Sequence, residues 1–279
     1  MKPDTRARYN ERVLKVLDYL HQHLESEPDL YRLAEIACLS PYHFHRVYRG
    51  LMGETITETI RQMRLQRASG DLASSLRPLP EVALRAGYGS LPAFTRAFQQ
   101  HFGTSPGRFR SQRTLSFTSD PESDMYTVTI TACPSIQLIA LPHRGSYMEI
   151  GTVFSKLMLQ AHAKHWLTPE SRVIGVFYDD PQTVPQQLLR SHAALSVAAP
   201  VVVEPPFEAL TIPAMRCAVL RHTGPYADLH TSYSWLFGVW LPESGEQPAD
   251  FPPYEDYLND PQTTPPDQLL TNIYLPLAD

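Results

Sequence analysis

The sequence predicts a multidomain chain. An all-α N-terminal domain holds two helix-turn-helix units joined by a long helix, and an α+β C-terminal domain is made of a duplicated strand-helix-strand-strand unit. Three observations predict it. First, Ser40, Phe44, Arg46 and Gly53 recur at an offset of 50 as Ser90, Phe94, Arg96 and Gly103. Second, HRGSYMEIGTVFSKLM (143–158) aligns at an offset of 79 with HTGPYADLHTSYSWLF (222–237), and YDDPQT (178–183) aligns at an offset of 80 with LNDPQT (258–263). Third, the charge changes sign. Residues 1–113 carry 17 Lys and Arg against 11 Asp and Glu, a net +6, whereas residues 114–279 carry 7 against 18, a net −11, within an overall −5.

A chain of 279 residues suits two domains of common size. The Ser-, Thr- and acid-rich stretch SQRTLSFTSDPESD (111–124) marks the join, so the domains are expected at 1–113 and 125–279 with a linker at 114–124. Beyond it lie 18 of the 26 prolines and β-branched runs such as YTVTIT (126–131), which suit mixed strand and helix. The longest apolar stretch, broken by Pro200, is far short of a membrane span, and no apolar segment follows the charges of the N-terminus. Cys38, Cys133 and Cys217 form no CxxC and no zinc spacing, which fits a reducing compartment and hence the cytoplasm. His162 and His165 share a helical spacing, but no carboxylate or cysteine joins them, so no metal is expected. With no phosphate loop and no nucleophile elbow, neither a cofactor nor an enzyme is expected.

Taken in order, Leu30, Leu33, Ala34 and Ala37 stripe one face of a short helix, and a break follows at Cys38 and Leu39. Ser40 is placed to cap the next helix, with Pro41 in its first turn, where a missing N–H does no harm. That helix buries Phe44, Val47, Tyr48 and Leu51 and turns Tyr42, Arg46 and Arg49 outward, with His45 at the flank of that face. Residues 55–75 read as one long helix bearing Arg61, Arg64 and Arg67. The second copy repeats the first: Val82, Ala83 and Ala86, a turn at Gly87-Tyr88-Gly89, Ser90 as cap, Phe94, Ala97 and Phe98 buried, and Pro92, Arg96 and Gln99 outward.

A helix held by one face, with an arginine on its free face, fits a DNA major groove, where arginine pairs bidentately with guanine while flanking arginines rest on phosphates. An exposed arginine on an amphipathic helix is ordinarily a solvated charge; the repeat singles out Arg46 and Arg96 by placing both at one position. The strings LAEIACLSPYHFHRVYRGLMG, RLQRA and EVALRAGYGSLPAFTRAFQQHFGTSPGRFR resemble, in order, the DNA-binding domain of the AraC/XylS regulators. The resemblance implies a sequence-specific transcription regulator with double-stranded DNA as partner and RNA polymerase as a further candidate. Its reading positions fall on Tyr42, His45 and Arg46 in the first unit and on Leu91, Pro92 and Arg96 in the second. Leu91 and Pro92 depart from the polar residues many relatives carry, which suits a unit that clamps the backbone.

Neither unit of the C-terminal repeat covers two faces alone, so the two are expected to pack as a pseudo-symmetric pair with a groove between them. VLRHTGPYADL, WLPESG, YEDYLNDP and the closing IYLPL resemble the GyrI-like effector-binding family. Where one unit has Gly175 the other has Glu255, and strand alternation puts Glu255 on the face of Tyr257. The resemblance implies that Glu255 lies at the base of an aromatic pocket for a cationic or amphipathic small molecule, with Tyr257, Tyr147, Phe154, Tyr226 and Tyr233 as walls. A carboxylate among aromatic faces suits a delocalised cation. Two alternatives stay open: a small-molecule hydrolase using a Glu and a Tyr, and a protein-interaction module.

Overall fold

The computed structural model describes residues 3–24, 29–115, 126–181 and 183–278. Most of the expected linker, 116–124, and residue 125 lie outside the described residues. Seven helices come first: α1 (Pro3–Gln22), α2 (Leu30–Ile36), α3 (Pro41–Met52), α4 (Ile56–Ser74), α5 (Leu79–Arg85), α6 (Leu91–Phe102) and α7 (Pro106–Leu115). The repeat reappears in its caps. Ser40 Oγ accepts from His43 N and Ser90 Oγ from Ala93 N, both at 3.4 Å. Gly53 and Gly103 close α3 and α6 at φ of 77° and 73°, the left-handed region that favours glycine. The turn between α2 and α3 is left-handed at Cys38, and that between α5 and α6 at Gly87. A reciprocal cap of Thr55 and Glu58 starts α4.

One helix serves two cores. Ile60 and Met63 of α4 pack with Val13, Leu17, Leu33, Phe44 and Tyr48, whereas Leu65, Ala68 and Leu72 pack with Val82, Phe94, Phe98 and Phe109. The two helix-turn-helix units are therefore fixed along one rod.

The second part is an eight-stranded antiparallel sheet. Its elements are β1 (Val128–Cys133), β2 (Ile136–Arg144), α8 (Ile150–Ala163), β3 (Val173–Phe177) and β4 (Arg190–Val197), then β5 (Glu208–Ile212), β6 (Met215–Thr223), α9 (Leu229–Trp235), α10 (Leu241–Ser244), β7 (Tyr254–Tyr257) and β8 (Leu270–Leu277). A π turn, Leu236–Trp240, joins α9 to α10. The strand order is β1-β6-β8-β7-β3-β4-β2-β5. Each unit carries one strand more than the repeat alone indicated, and that strand is exchanged: β1 pairs with β6 of the second unit and β5 with β2 of the first. At the centre β3 meets β7 with Gly175 opposite Glu255. These residues are also repeat equivalents, so the pseudo-twofold axis runs through that pair.

The two parts touch along named contacts. Leu159 of α8 is buried in the first helix-turn-helix core, Asn10 Nδ2 donates to Leu159 O at 3.2 Å, and Lys156 pairs with Asp18 at 2.5 Å. Gly151 opens α8 to α4: a Cβ there would stand 2.6 Å from Gln66 Nε2. On the other side Ala227 is buried in the second helix-turn-helix core, with Met148 packed against it. No described helix is long and apolar enough to cross a membrane.

Candidate functional site

The outward faces of α3 and α6 are the first candidate. Phe44 and Tyr48 are fully buried, which fixes the rotation of α3 and leaves His45, Arg46 and Arg49 exposed. Tyr42 is the second residue of the helix, but its side chain lies outside the described residues. In α6, Phe94 and Phe98 are fully buried and Pro92, Arg96 and Gln99 are exposed. Leu91 turns partly inward against the second core, so the opening turn of α6 offers less polar surface than that of α3.

The arginines of α4 behave differently from a row of phosphate contacts. Arg64 Nε donates to Leu24 O at 3.2 Å and Arg67 to Arg85 O at 3.3 Å, both half-buried. A Cβ at Gly87 would strike the Arg64 guanidinium, so this glycine makes room for it. These two arginines satisfy carbonyls of the protein's own backbone. Arg61 is exposed and donates to Gln100 Oε1 at 3.1 Å.

The second candidate sits on the pseudo-twofold axis. Glu255 is 4% exposed, so it is no ordinary strand carboxylate. Tyr257, two residues along on the same face, donates its hydroxyl to Glu255 Oε2 at 2.6 Å. Burial pushes the Glu255 carboxyl up to about 7, and the tyrosine hydroxyls only partly counter it. Phe154 of α8 stands edge-on to Tyr257 at 5.4 Å, and Tyr226 does so at 5.2 Å. Tyr233 of α9 turns its buried hydroxyl towards Glu255 without a hydrogen bond of good geometry, and burial drives its pKa well above the ordinary value. Phe237, 40% exposed, lies parallel to Tyr233 with ring centroids 6.3 Å apart.

Symmetry organises these contacts. Tyr147 meets Phe177 at 4.9 Å as Tyr226 meets Tyr257, and the four are repeat equivalents in pairs. Chemistry breaks that symmetry. Glu255 and the hydroxyls of Tyr257 and Tyr233 all belong to the second unit. The first contributes Phe154, Phe177 and Gly175, and its Tyr147 hydroxyl is spent on Asp179 O at 2.8 Å. Gly175 is required: a Cβ there would lie 2.8 Å from the Phe177 ring and 2.9 Å from the Tyr257 hydroxyl. All six residues expected at the pocket from sequence thus surround the seam. Phe177 was missed, although its repeat partner Tyr257 marks it.

A cavity of about 20 Å³ lies elsewhere, between α4 and α8, lined by Glu54, Gln62, Gln66 and Ser155 among others. It has room for a water and none for an organic effector. Glu54 there accepts from Thr59 and Gln62, each at 2.7 Å, and burial raises its carboxyl pKa.

Comparison with known proteins agrees with the two-part fold. Residues 126–278 match the family of the GyrI-like small molecule binding domain, and residues 33–112 match a helix-turn-helix domain. The chain is similar to the bifunctional transcriptional activator/DNA repair enzyme AdaA of Bacillus subtilis, at 29% identity over 103 residues, 37% of this chain and 49% of that one. It is also similar to the probable transcription factor PqrA of Proteus vulgaris, at 34% over 79 residues, 28% of this chain and 65% of that one. The chain thus spans about half to two thirds of the length of these relatives. Among solved structures, EcmrR in a DNA complex aligns over 86% of this chain and 82% of its own at a TM-score of 0.50. At 16% identity that likeness concerns the fold alone.

Proposed function

Because the chain belongs to the GyrI-like small-molecule-binding family and carries an AraC-type helix-turn-helix domain, we propose that it is a ligand-responsive, sequence-specific DNA-binding transcription regulator. Tyr42, His45, Arg46 and Arg49 of α3 read or hold DNA, and Arg96 of α6 holds the backbone. RNA polymerase is the further partner this reading implies. The C-terminal half is a sensor, and its occupant is an aromatic or amphipathic cation.

One observation carries the sensor reading: a buried carboxylate on the pseudo-twofold axis, walled by aromatic rings, with the polar groups turned towards it all coming from one side. A ligand with a positive end and an apolar body matches such a divided cage. Glu255 is buried among these rings, so the ligand reaches it by parting them. Before it arrives the carboxyl is held up to about 7, and the arriving cation favours the charged form. Binding therefore releases protons near neutral pH, and affinity falls by about tenfold per pH unit below 7.

Calorimetry of the full chain with tetraphenylphosphonium, beside a neutral isostere, tests the reading. Glu255→Gln weakens the cation by about tenfold and leaves the isostere nearly unchanged. DNA binding by the same protein falls with salt at a log–log slope of about −0.9 per phosphate contacted. Equal affinity of wild type and Glu255→Gln for the cation removes Glu255 from the site, and turnover of a reactive ester that Glu255→Gln abolishes would make the cage a catalyst.

A further inference from the structure

We propose that Met148 and Ala227, which follow the two cage tyrosines in the chain, carry occupancy of the cage into the second helix-turn-helix unit and largely spare the first. This rests on reading the cage as a ligand site. Tyr147 and Tyr226 begin three-residue 3-10 turns, Tyr147–Glu149 and Tyr226–Asp228. Their rings face the seam, against Phe177 and Tyr257. The next residue of each turn points the other way. Ala227 is 1% exposed among Leu65, Phe94, Phe98 and Phe102, and Met148 packs against the same core.

The turns are built to transmit a push. His143 Nε2 lies 3.0 Å from Ser146 O, and Ser146 Oγ accepts from Met148 N at 3.3 Å. His222 bonds on both sides of its ring, to Pro225 O at 3.3 Å and Ser232 Oγ at 2.8 Å. With so few rotatable residues between ring and core, a tyrosine displaced by a ligand moves its neighbour instead of relaxing locally. The receiving side is equally close. A Cβ on Gly103, at the end of α6, would stand 2.6 Å from Pro225 Cγ.

The first helix-turn-helix unit is attached by another route. It rests on α8 through Leu159, Asn10 and the Lys156–Asp18 pair. Although α8 also carries Phe154, it is pinned to the sheet by Val153, Leu157 and Ala161, so moving the first unit means moving the whole helix. An occupied cage therefore shifts α5 and α6 relative to α2 and α3, along the shared rod of α4. The spacing of the two reading helices is what the ligand controls.

Hydrogen exchange of the full-length protein, with and without saturating tetraphenylphosphonium, reads this directly. Amides of α5 and α6 should change their exchange by at least about threefold, and those of α2 and α3 by clearly less. Ala227→Gly and Met148→Ala should each keep cation affinity within about twofold while losing at least half of the exchange response. The wild-type measurement needs no variant, so a variant that folds poorly leaves the question decided. Cation binding with equal responses in both units, or with full responses in both variants, overturns the coupling and leaves the cage intact. No binding of the cation by the wild type overturns the cage and the coupling together.

Discussion

The two duplications in this chain have diverged in opposite manners. The helix-turn-helix units keep the same arginine at the same place, Arg46 and Arg96, and differ in what surrounds it, with Leu91 and Pro92 opening one helix where Pro41 and Tyr42 open the other. The two units of the C-terminal repeat keep the surrounding aromatic contacts and differ in the residue on the axis itself, Gly175 against Glu255. Two helix-turn-helix units present two separate faces, so each can drift in its periphery. A site on a twofold axis is shared, so a single change on one side alters the whole of it. At van der Waals contact there is room for one side chain there, and the glycine yields it to the acid.

Restoring symmetry should be the most damaging change. Gly175→Glu sets a second carboxylate opposite the first and drives it into Phe177 and Tyr257. Urea unfolding should show a loss of at least about 4 kcal/mol, overpacking and an unpaired buried charge acting together. Gly175→Ala isolates the steric part at about 1–3 kcal/mol. A loss below about 1 kcal/mol from the glutamate would mean that the seam opens to accommodate it.

Removing the asymmetric charge should do the reverse. The Glu255 carboxyl is held up to about 7 in the fold, against 4.5 ordinarily. A carboxyl raised in the folded state binds its proton more tightly there than in the unfolded chain. Its stabilising contribution is full below pH 4.5 and is lost as pH rises through 7. Glu255→Gln escapes that loss. The variant should be more stable than wild type by as much as about 3 kcal/mol at pH 8, and no more stable at pH 4. The same gain at both pH values would point to packing instead of charge.

The helix-turn-helix comparison is sharpened by its two arginines. Arg46→Ala should cost about 1–3 kcal/mol on a specific site and relax one base position. Arg96→Ala should weaken specific and non-specific DNA alike. Competition binding against randomised sites measures both, and equal loss of base preference would erase the distinction drawn from Leu91 and Pro92.

Much of this architecture was legible before any coordinates. Caps and stripes are local: a serine, a proline and four apolar residues at helical spacing specify α3 wherever it sits, and a repeat at 50 doubles the signal. The C-terminal duplication was equally plain from HRGSY against HTGPY and the two DPQT turns. Strand period two put Glu255 and Tyr257 on one face, and the 2.6 Å hydrogen bond between them follows.

Other features depended on what meets what across long separations. The extra strands β1 and β5 carry little repeat signal, and their exchange between units is a pairing choice that only the assembled sheet makes. An arginine reads the same in sequence whether it faces phosphate or caps a carbonyl, so the turn of Arg64 and Arg67 towards Leu24 O and Arg85 O was invisible there. Sequence alone determined which residue types stood ready: an acid, five aromatics and a glycine at repeat-related places. Tertiary structure decided that Gly175 and Glu255 face each other on the axis, and that the residues after Tyr147 and Tyr226 enter the second helix-turn-helix core. Local propensity acts over a few residues, whereas burial, and the pKa that follows from it, is a property of everything that closes around a group.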